Sequence, residues 1–216
     1  MEVKRVQLGM IGTNCYIFWD EDTRACAVVD PGDDGEKIAA FIQGRELEPV
    51  AILLTHGHFD HILGIPGLRA QWPKLPIYCH PADINPDEST VSLFGTSFPT
   101  VSSFGGVRPY GEGDRIAIGS ITVEVMNTPG HTPGSVVLRA GDALFTGDTL
   151  FRGSMGRTDF PGGSYEQIMA SLKRLANLPG DFHVYPGHEG TTTLEEERQS
   201  LVRVNDIIAE LEKQKG

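Results

Sequence analysis

Three histidines and one aspartate lie within a single short segment, and this segment restricts the possible folds more than any other. Residues 55–61 read Thr-His-Gly-His-Phe-Asp-His and directly follow the apolar run at 50–54. A run of this length is typical of a buried strand, and α/β proteins bind ligands in the loops that follow such strands. Imidazole nitrogens and carboxylate oxygens are ligands for zinc, iron and manganese. The segment therefore predicts a strand that ends at a metal site.

The spacing within this segment favours two metal ions. His56 and His58 can turn toward one point, and Asp60 and His61 can face a second point nearby. The alternative is a polar surface turn that binds nothing. Such a turn uses glycine and aspartate, but it gives no reason for three histidines. We therefore expect two metals close together.

Length and composition predict one globular domain over residues 1–216, without a separate C-terminal substrate domain. The 216 residues can bury a substantial core, and 39% hydrophobic residues with 26 glycines suit an α/β protein with tight loops. The net charge is -11. Nucleic acids and anionic membranes require a positive surface, so neither is an expected partner.

The cysteines and the first residues indicate a cytoplasmic protein. Residues 1–5 lack the apolar core of a signal peptide, and no apolar run approaches the roughly 20 residues that span a bilayer. Cys15, Cys26 and Cys79 each lie in or beside an apolar segment, as reduced core thiols do. A disulfide framework is the less favoured alternative.

The remaining pattern predicts two similar halves, each with strands followed by a helix, that pack sheet on sheet with the helices outside. Helices are expected at 37–43 and 62–71, after a capping box formed by Ser164 and Gln167, and from Thr193 onward. Strands are expected at 3–8, 14–19, 26–29, 75–79, 115–118, 121–126, 135–139, 143–146 and 182–184. Residues 80–113 lack periodicity, which predicts either a functional flap or a loop whose aromatic residues pack against the core. We expect His80 to be structural.

Three further polar residues each follow a predicted strand, in the turns Gly-His131, Gly-Asp148 and Gly-His188. Each alone is more typical of an ordinary turn residue than of a ligand. Together they supply the remaining ligands of a two-metal site, including an acidic residue that can bridge. Asp30 also follows a strand, where it either begins a turn or accepts a hydrogen bond from a metal-binding histidine.

The His-x-His-x-Asp-His segment and these three turns, in this order along most of the chain, resemble the metallo-β-lactamase fold superfamily. The resemblance implies an α/β (α+β) fold, a four-layer αβ/βα sandwich of two mixed β-sheets flanked by helices. It also implies two metal ions with shared and separate ligands. The implied ligands are His56, His58 and His131 for one ion, Asp60, His61 and His188 for the second, and Asp148 as the bridge.

Three other segments are similar to the glyoxalase II group, the hydroxyacylglutathione hydrolases. They are residues 13–16, 145–151 and 185–189. The group's Gly-Cys-Gly-Lys appears here as Ser-Met-Gly-Arg at 154–157, and 28 residues follow position 188 where the group has a longer helical region. Residues 156–160 are instead similar to persulfide dioxygenases and to short bacterial glyoxalase II-like proteins. Lactamases proper usually carry cysteine at position 148, which argues against antibiotic hydrolysis.

These features predict a dinuclear metal-dependent hydrolase that cleaves a small thioester of the S-2-hydroxyacylglutathione type. Asp60 and Asp148 would orient the nucleophile, and Arg157 or Arg152 would bind an acidic end of the substrate unless they are simply solvated. The expected cofactors are two divalent metal ions, with zinc preferred over iron or manganese. The alternative is a mononuclear iron persulfide dioxygenase. The expected assembly is a monomer or a small homo-oligomer.

Overall fold

The computed structural model describes residues 1–85, 92–93 and 96–200. Its helices are α1 (Gly35–Gly44), α2 (Ile65–Gln71), α3 (Pro81–Ile84) and α4 (Tyr165–Ala176), and residues 194–200 are also helical. Its strands are β1 (Glu2–Leu8), β2 (Thr13–Trp19), β3 (Ala25–Val29), β4 (Glu48–Leu53), β5 (Ile77–Cys79), β6 (Ser92–Leu93), β7 (Thr96–Ser97), β8 (Val107–Pro109), β9 (Arg115–Ile118), β10 (Ile121–Asn127), β11 (Val136–Ala140), β12 (Ala143–Gly147), β13 (His183–Pro186) and β14 (Thr192–Thr193).

Two six-stranded mixed sheets form the centre of the molecule. The first sheet has the order β1-β2-β3-β4-β5-β8, antiparallel from β1 to β3 and parallel from β3 to β8. The second has the order β14-β13-β12-β11-β10-β9, in which only β12 and β13 are parallel. Strands β6 and β7 pair separately as a small hairpin. The prediction of two mixed sheets is confirmed.

The two sheets pack face to face, and the alternation of side chains on β2 shows how. Tyr16 and Phe18 point into the core between the sheets, whereas Cys15 and Ile17 point to the opposite face. This follows from the two-residue period of a strand. Phe18 stacks on Phe145 of β12 with ring centroids 5.2 Å apart. The aromatic contact therefore joins the first sheet to the second.

Helices cover both outer faces. Ile38 and Ile42 of α1 pack on the outer face of the first sheet together with Leu68 of α2. Leu172 and Leu175 of α4 pack on the outer face of the second sheet. The layers therefore run helix, sheet, sheet, helix, and the predicted four-layer sandwich is confirmed.

Most predicted elements are present with shifted ends, but the long loop is partly wrong. The prediction for 80–113 missed α3 and β8, because four and three residues are too short to show a period. The second predicted helix begins later than expected, at Ile65, after a 3-10 turn over Phe59–His61. His80 is structural, since its Nδ1 accepts a hydrogen bond from the Ala82 amide at the start of α3.

The capping box predicted at Ser164 and Gln167 is half formed, because the Ser164 amide donates to the Gly130 carbonyl and not to the Gln167 side chain. Ser164 Oγ accepts a hydrogen bond from the Gln167 amide at 3.3 Å. Thr193 Oγ1 accepts one from the Glu196 amide at the start of the last helix. The apolar stripe predicted farther along that helix, at positions 201, 204, 208 and 211, lies outside the described residues.

The cysteine prediction agrees with the structure. Cys15, Cys26 and Cys79 are buried as free thiols. Burial raises the pKa of Cys15 well above its ordinary value, and it raises that of Cys26 to about 12. Among the described residues, no helix has the length and apolar character needed to traverse a bilayer.

Candidate metal centre

Seven polar side chains converge at one edge of the sandwich, from loops that follow four strands. His56, His58, Asp60 and His61 follow β4, His131 follows β10, Asp148 follows β12 and His188 follows β13. The first four come from the first sheet and the last three from the second. These are the seven residues that the sequence analysis named as metal ligands.

Three histidines form the first group. Nδ1 of His58 lies 3.1 Å from Nε2 of His56 and 2.9 Å from Nε2 of His131. One nitrogen from each ring therefore faces a common point. His56 and His131 are buried, and His58 is partly exposed.

Asp60, His61 and His188 form the second group. Oδ2 of Asp60 lies 3.6 Å from Nε2 of His61 and 3.4 Å from Nε2 of His188. Here too, one atom from each side chain faces a common point. His61 is fully buried, whereas the side chain of His188 is 20% exposed, so this group opens toward solvent at His188.

Asp148 lies between the two groups. Its Oδ2 is 3.4 Å from Nε2 of His131 in the first group and 3.5 Å from Nε2 of His188 in the second. Its Oδ1 is 3.5 Å from Nε2 of His61. A single carboxylate thus faces both groups, as a bridging ligand must.

The donor atoms fit divalent cations. Ligands about 2.0–2.1 Å from a tetrahedral ion lie about 3.4 Å from one another. The four distances given above for the two groups range from 2.9 to 3.6 Å. In addition, Nε2 of His61 and Oδ1 of Asp148 are buried without a hydrogen-bond partner. Buried polar atoms are rarely left unpaired in proteins, so a ligand between these two atoms accounts for them.

The electrostatics differ between the two groups. Burial and the neighbouring His131 lower the pKa of His58 to about 4, and burial with the nearby His61 lowers that of His56. Burial also acts to lower the pKa of His61, but the carboxylates of Asp60 and Asp148 outweigh it and raise it to about 9. His56 and His58 therefore present neutral imidazoles, the form that binds metals, and the second group attracts positive charge.

Asp30 holds the buried ring of His61. Its Oδ2 lies 3.1 Å from Nδ1 of His61, which leaves Nε2 facing the second group. The same carboxylate accepts hydrogen bonds from the amide of Thr55 at 2.8 Å and from its hydroxyl at 2.6 Å. Asp30 has φ 49, a backbone conformation that is uncommon outside glycine. Asp30 thus lies beside a histidine of the second group, and its role as a hydrogen-bond acceptor for a metal-binding histidine stays a prediction.

Residues 8–188 match the family model of the metallo-beta-lactamase superfamily. The chain is a member of that superfamily. One superfamily relative is the probable metallo-hydrolase YqgX of Bacillus subtilis, 36% identical, with 87% of this chain and 90% of the relative covered. Another is the hydroxyacylglutathione hydrolase GloC of Haemophilus influenzae, 31% identical, with 93% and 96% covered.

Three solved structures of the superfamily share the fold. BLEG-1, a B3 metallo-beta-lactamase, has a TM-score of 0.81 and 32% identity, with 92% of this chain and 97% of that chain covered. TTHA1623 in a di-iron-bound form has a TM-score of 0.79 and 39% identity, with 91% and 98% covered. ETHE1 from Myxococcus xanthus has a TM-score of 0.78 and 28% identity, with 93% and 83% covered.

In this superfamily member, the segment at 13–16 supports the second group, a role that the sequence analysis did not assign. Thr13 Oγ1 donates to Oδ2 of Asp60 at 3.0 Å. Asn14 Nδ2 and the hydroxyl of Tyr16 donate to the carbonyl of Pro186, at 2.9 and 2.8 Å, and so anchor the turn that carries His188. The similarity of this segment to glyoxalase II was the available signal, but the sequence alone did not show what it contacts.

The two arginines predicted to bind substrate are placed differently from one another. The guanidinium of Arg157 pairs with both carboxylate oxygens of Asp159 at 2.6 Å and lies 3.9 Å from the ring centroid of Phe160. Arg152 is exposed on the loop after Asp148. A backbone atom of Arg157 acts within the centre instead. Its carbonyl lies 2.7 Å from Nδ1 of His131, so this nitrogen donates and Nε2 remains for a metal.

Proposed function

We propose that this chain is a dinuclear metal-dependent hydrolase that cleaves a small thioester of the S-2-hydroxyacylglutathione type. The observation that carries the proposal is the position of Asp148, whose Oδ2 lies 3.4 and 3.5 Å from histidines of both groups. The similarity to GloC supports the choice of substrate, since that relative is named a hydroxyacylglutathione hydrolase.

The distances between the donor atoms divide the proposed ligands into two sets. His56, His58 and His131 would hold one ion, and Asp60, His61 and His188 the other, with Asp148 shared. Zinc is our first choice, and iron or manganese could occupy the same donors. The di-iron form of TTHA1623 supports iron as an alternative.

When bound, two divalent cations would supply a hydroxide nucleophile at neutral pH and would polarise the substrate carbonyl. Asp60 and Asp148 would supply the carboxylate oxygens that orient the nucleophile. Thr13 fixes Asp60 through the 3.0 Å hydrogen bond, so the oxygen does not rotate away. A thiol has a pKa of about 8.5, which makes the thiolate a good leaving group.

We infer that the substrate binds beside the exposed loop that carries Arg152 and Arg157. Both arginines are exposed, but a substrate carboxylate at Arg157 would have to displace Asp159. We also infer a cytoplasmic protein, a monomer or small homo-oligomer, that acts on a small molecule. The net charge of -11 argues against nucleic acid and anionic membranes as partners.

The test is a substrate panel run on protein whose metal content has been measured. The panel includes S-lactoylglutathione, thioesters of other thiols and a chromogenic β-lactam, since BLEG-1 is named a lactamase. We expect two ions per chain and thioester turnover that falls at least 100-fold in Asp148→Ala. The matched control is Asp142→Ala, which removes an exposed carboxylate beside the same strand. Metal-loaded protein that cleaves none of the thioesters would refute the proposal.

A persulfide dioxygenase is the second candidate, and the similarity to ETHE1 at 28% identity favours considering it. Such an enzyme would use one iron and consume oxygen. The second group of ligands argues against it, because Asp60, His61 and His188 would then have no metal to bind. One iron per chain with oxygen uptake on a persulfide substrate would establish this alternative in place of the hydrolase.

A further inference from the structure

A buried aspartate outside the metal centre joins the two loops that carry the three histidines of the first group. Asp83 lies in α3 and is 3% exposed. Its Oδ2 accepts hydrogen bonds from the Gly57 amide at 3.0 Å and from the Thr132 hydroxyl at 2.7 Å. Its Oδ1 accepts one from the Gly134 amide at 2.9 Å. All three hydrogen bonds to the Asp83 carboxylate come from these two loops.

The hydrogen-bond donors flank the ligands in sequence. Gly57 stands between His56 and His58, and Thr132 directly follows His131. One carboxylate therefore holds the backbone on both sides of the gap that the three imidazoles face. The sequence separations between Asp83 and its partners are 26, 49 and 51 residues, so the contact exists only in the folded chain.

Asp83 packs closely against Gly57 and Gly134. A Cβ at position 57 would lie 2.5 Å from the Asp83 carbonyl oxygen, and a Cβ at position 134 would overlap the Asp83 carboxylate. The glycine in His-Gly-His is therefore required by the approach of Asp83. Asparagine at position 83 would turn its amide group toward the N–H of Gly57 or of Gly134, which leaves that backbone donor unpaired.

We propose that Asp83 is a positioning residue that sets the spacing of the three-histidine group and thereby the cation affinity of that half of the centre. Asp30 differs, because it contacts both groups: its Oδ2 lies 3.1 Å from Nδ1 of His61 and accepts from the Thr55 hydroxyl, which lies 3.2 Å from Nδ1 of His56. This inference rests on the proposed function only in requiring that the centre binds two cations. Substitution of Asp83 should therefore weaken one ion, whereas substitution of Asp30 should weaken both.

The experiment compares Asp83→Asn and Asp30→Asn with a control that loses an equally buried aspartate elsewhere. Asp20 is 5% exposed and accepts hydrogen bonds from the Ser120 amide, the Thr23 hydroxyl and the Asp22 amide at 2.7, 2.9 and 3.0 Å. It follows β2, at the end opposite Thr13, so roughly 20 Å of strand separates it from the centre. Asp20→Asn therefore matches the loss of packing and hydrogen bonds without touching either histidine loop.

Zinc affinities are measured by equilibrium dialysis against a competing chelator, and anomalous scattering from partly loaded crystals assigns each ion to its group. Asp83→Asn should weaken zinc at the three-histidine group by about 10- to 100-fold and change the other group by less than about threefold. Asp30→Asn should weaken both ions, because Asp30 contacts His61 directly and His56 through Thr55. Asp20→Asn should lower the Tm and leave both affinities unchanged.

Equal weakening of both ions by Asp83→Asn, or weakening no greater than that in Asp20→Asn, would overturn the proposal. If Asp83→Asn does not fold, Thr132→Val and Thr132→Ser replace it. The first removes one of the three hydrogen bonds and should weaken only the three-histidine group, while the second keeps the hydroxyl and should bind as the wild type does. The dialysis uses no substrate, so a failure of the thioester proposal leaves its outcome unaffected.

Discussion

Individual ligand residues in this protein are held by partners that lie far away in the sequence. Thr13 holds Asp60 across 47 residues, and the carbonyl of Arg157 holds His131 across 26. The Arg157 carbonyl leaves Nε2 of His131 facing the centre, and Thr13 holds the same Asp60 oxygen that faces His61 and His188. The orientation of the ligands is therefore fixed by the fold before any cation binds, which reduces the conformational entropy lost on binding.

The Thr13 hydroxyl offers the cleanest test at the residue scale. Thr13→Val keeps the shape and removes the donor to Asp60, so we expect the affinity for the second ion and the kcat/KM for thioester to fall by about 10- to 100-fold. Thr13→Ser keeps the donor and is the control. Dialysis and steady-state kinetics on both variants provide the measurements. A Thr13→Val enzyme indistinguishable from Thr13→Ser would show that this hydrogen bond does not position Asp60.

At the scale of the elements, one of the loops that carry the proposed ligands has no space for a side chain at position 187. A Cβ at Gly187, in the loop after β13, would overlap Oδ1 of Asp148 and lie 2.8 Å from Cε1 of His61. Neither neighbour can withdraw without leaving the centre. The glycine before His188 is therefore required by the ligands around it.

Gly187→Ala should consequently reduce zinc binding at the second group and lower thioester turnover by at least 100-fold. The effect arises because the new methyl group pushes Asp148 or His61 out of position. Gly44→Ala is the control, since no atom lies within 4 Å of a Cβ at this last residue of α1. We expect that variant to keep full activity and to unfold at the wild-type temperature or slightly above it. Wild-type activity in Gly187→Ala would contradict the close approach.

The elements also show which parts of the structure were predictable. The loops of the candidate metal centre could be placed from sequence because each proposed ligand follows an apolar run, as His56 follows β4 and Asp148 follows β12. Strand β8 could not be predicted, because Val-Arg-Pro shows no alternation of apolar and polar residues. This segment is a strand because it pairs with β5. Asp83 could not be recognised either, since its role depends on contacts 26 to 51 residues away that no local pattern encodes.

A buried carboxylate also ties the two sheets together at the scale of the whole molecule. Asp20, at the end of β2, accepts a hydrogen bond from Ser120, in the turn between β9 and β10. The hydrogen bonds from Ser120 and Thr23 hold the pKa of Asp20 well below its ordinary value. The folded state therefore favours the ionised form, and this contribution to stability is present above the unfolded pKa of about 3.9 and declines as the pH falls below it.

Urea unfolding at different pH values tests this assignment. Asp20→Asn should have a lower urea midpoint than the wild type at pH 7, and the difference between them should shrink at pH 3, where the unfolded aspartate is protonated. The comparison of two proteins at each pH cancels the titration of all the other groups. A difference that stays constant from pH 7 to pH 3 would show that the charge of Asp20 contributes nothing.

Metal removal should act on the whole molecule, because the proposed ligands come from both sheets. Cations that bind only the folded state stabilise it by about 2.7 kcal/mol when their free concentration is 100 times the Kd. We therefore expect a chelator to lower the Tm by several degrees and added zinc to restore it. Asp148→Ala should respond less to both treatments, because it lacks the ligand that faces the two groups. A Tm that does not respond to chelation in the wild type would contradict cation binding by the folded state.

The division of the ligands between the sheets has one more consequence. His56 and His58 belong to the first half and His131 to the second, while Asp60 and His61 belong to the first half and His188 to the second. Neither half can assemble a complete coordination sphere by itself. Cation affinity therefore depends on the packing of the two halves against each other. If the chain were cut between the halves, the fragments would bind cations only after they associate.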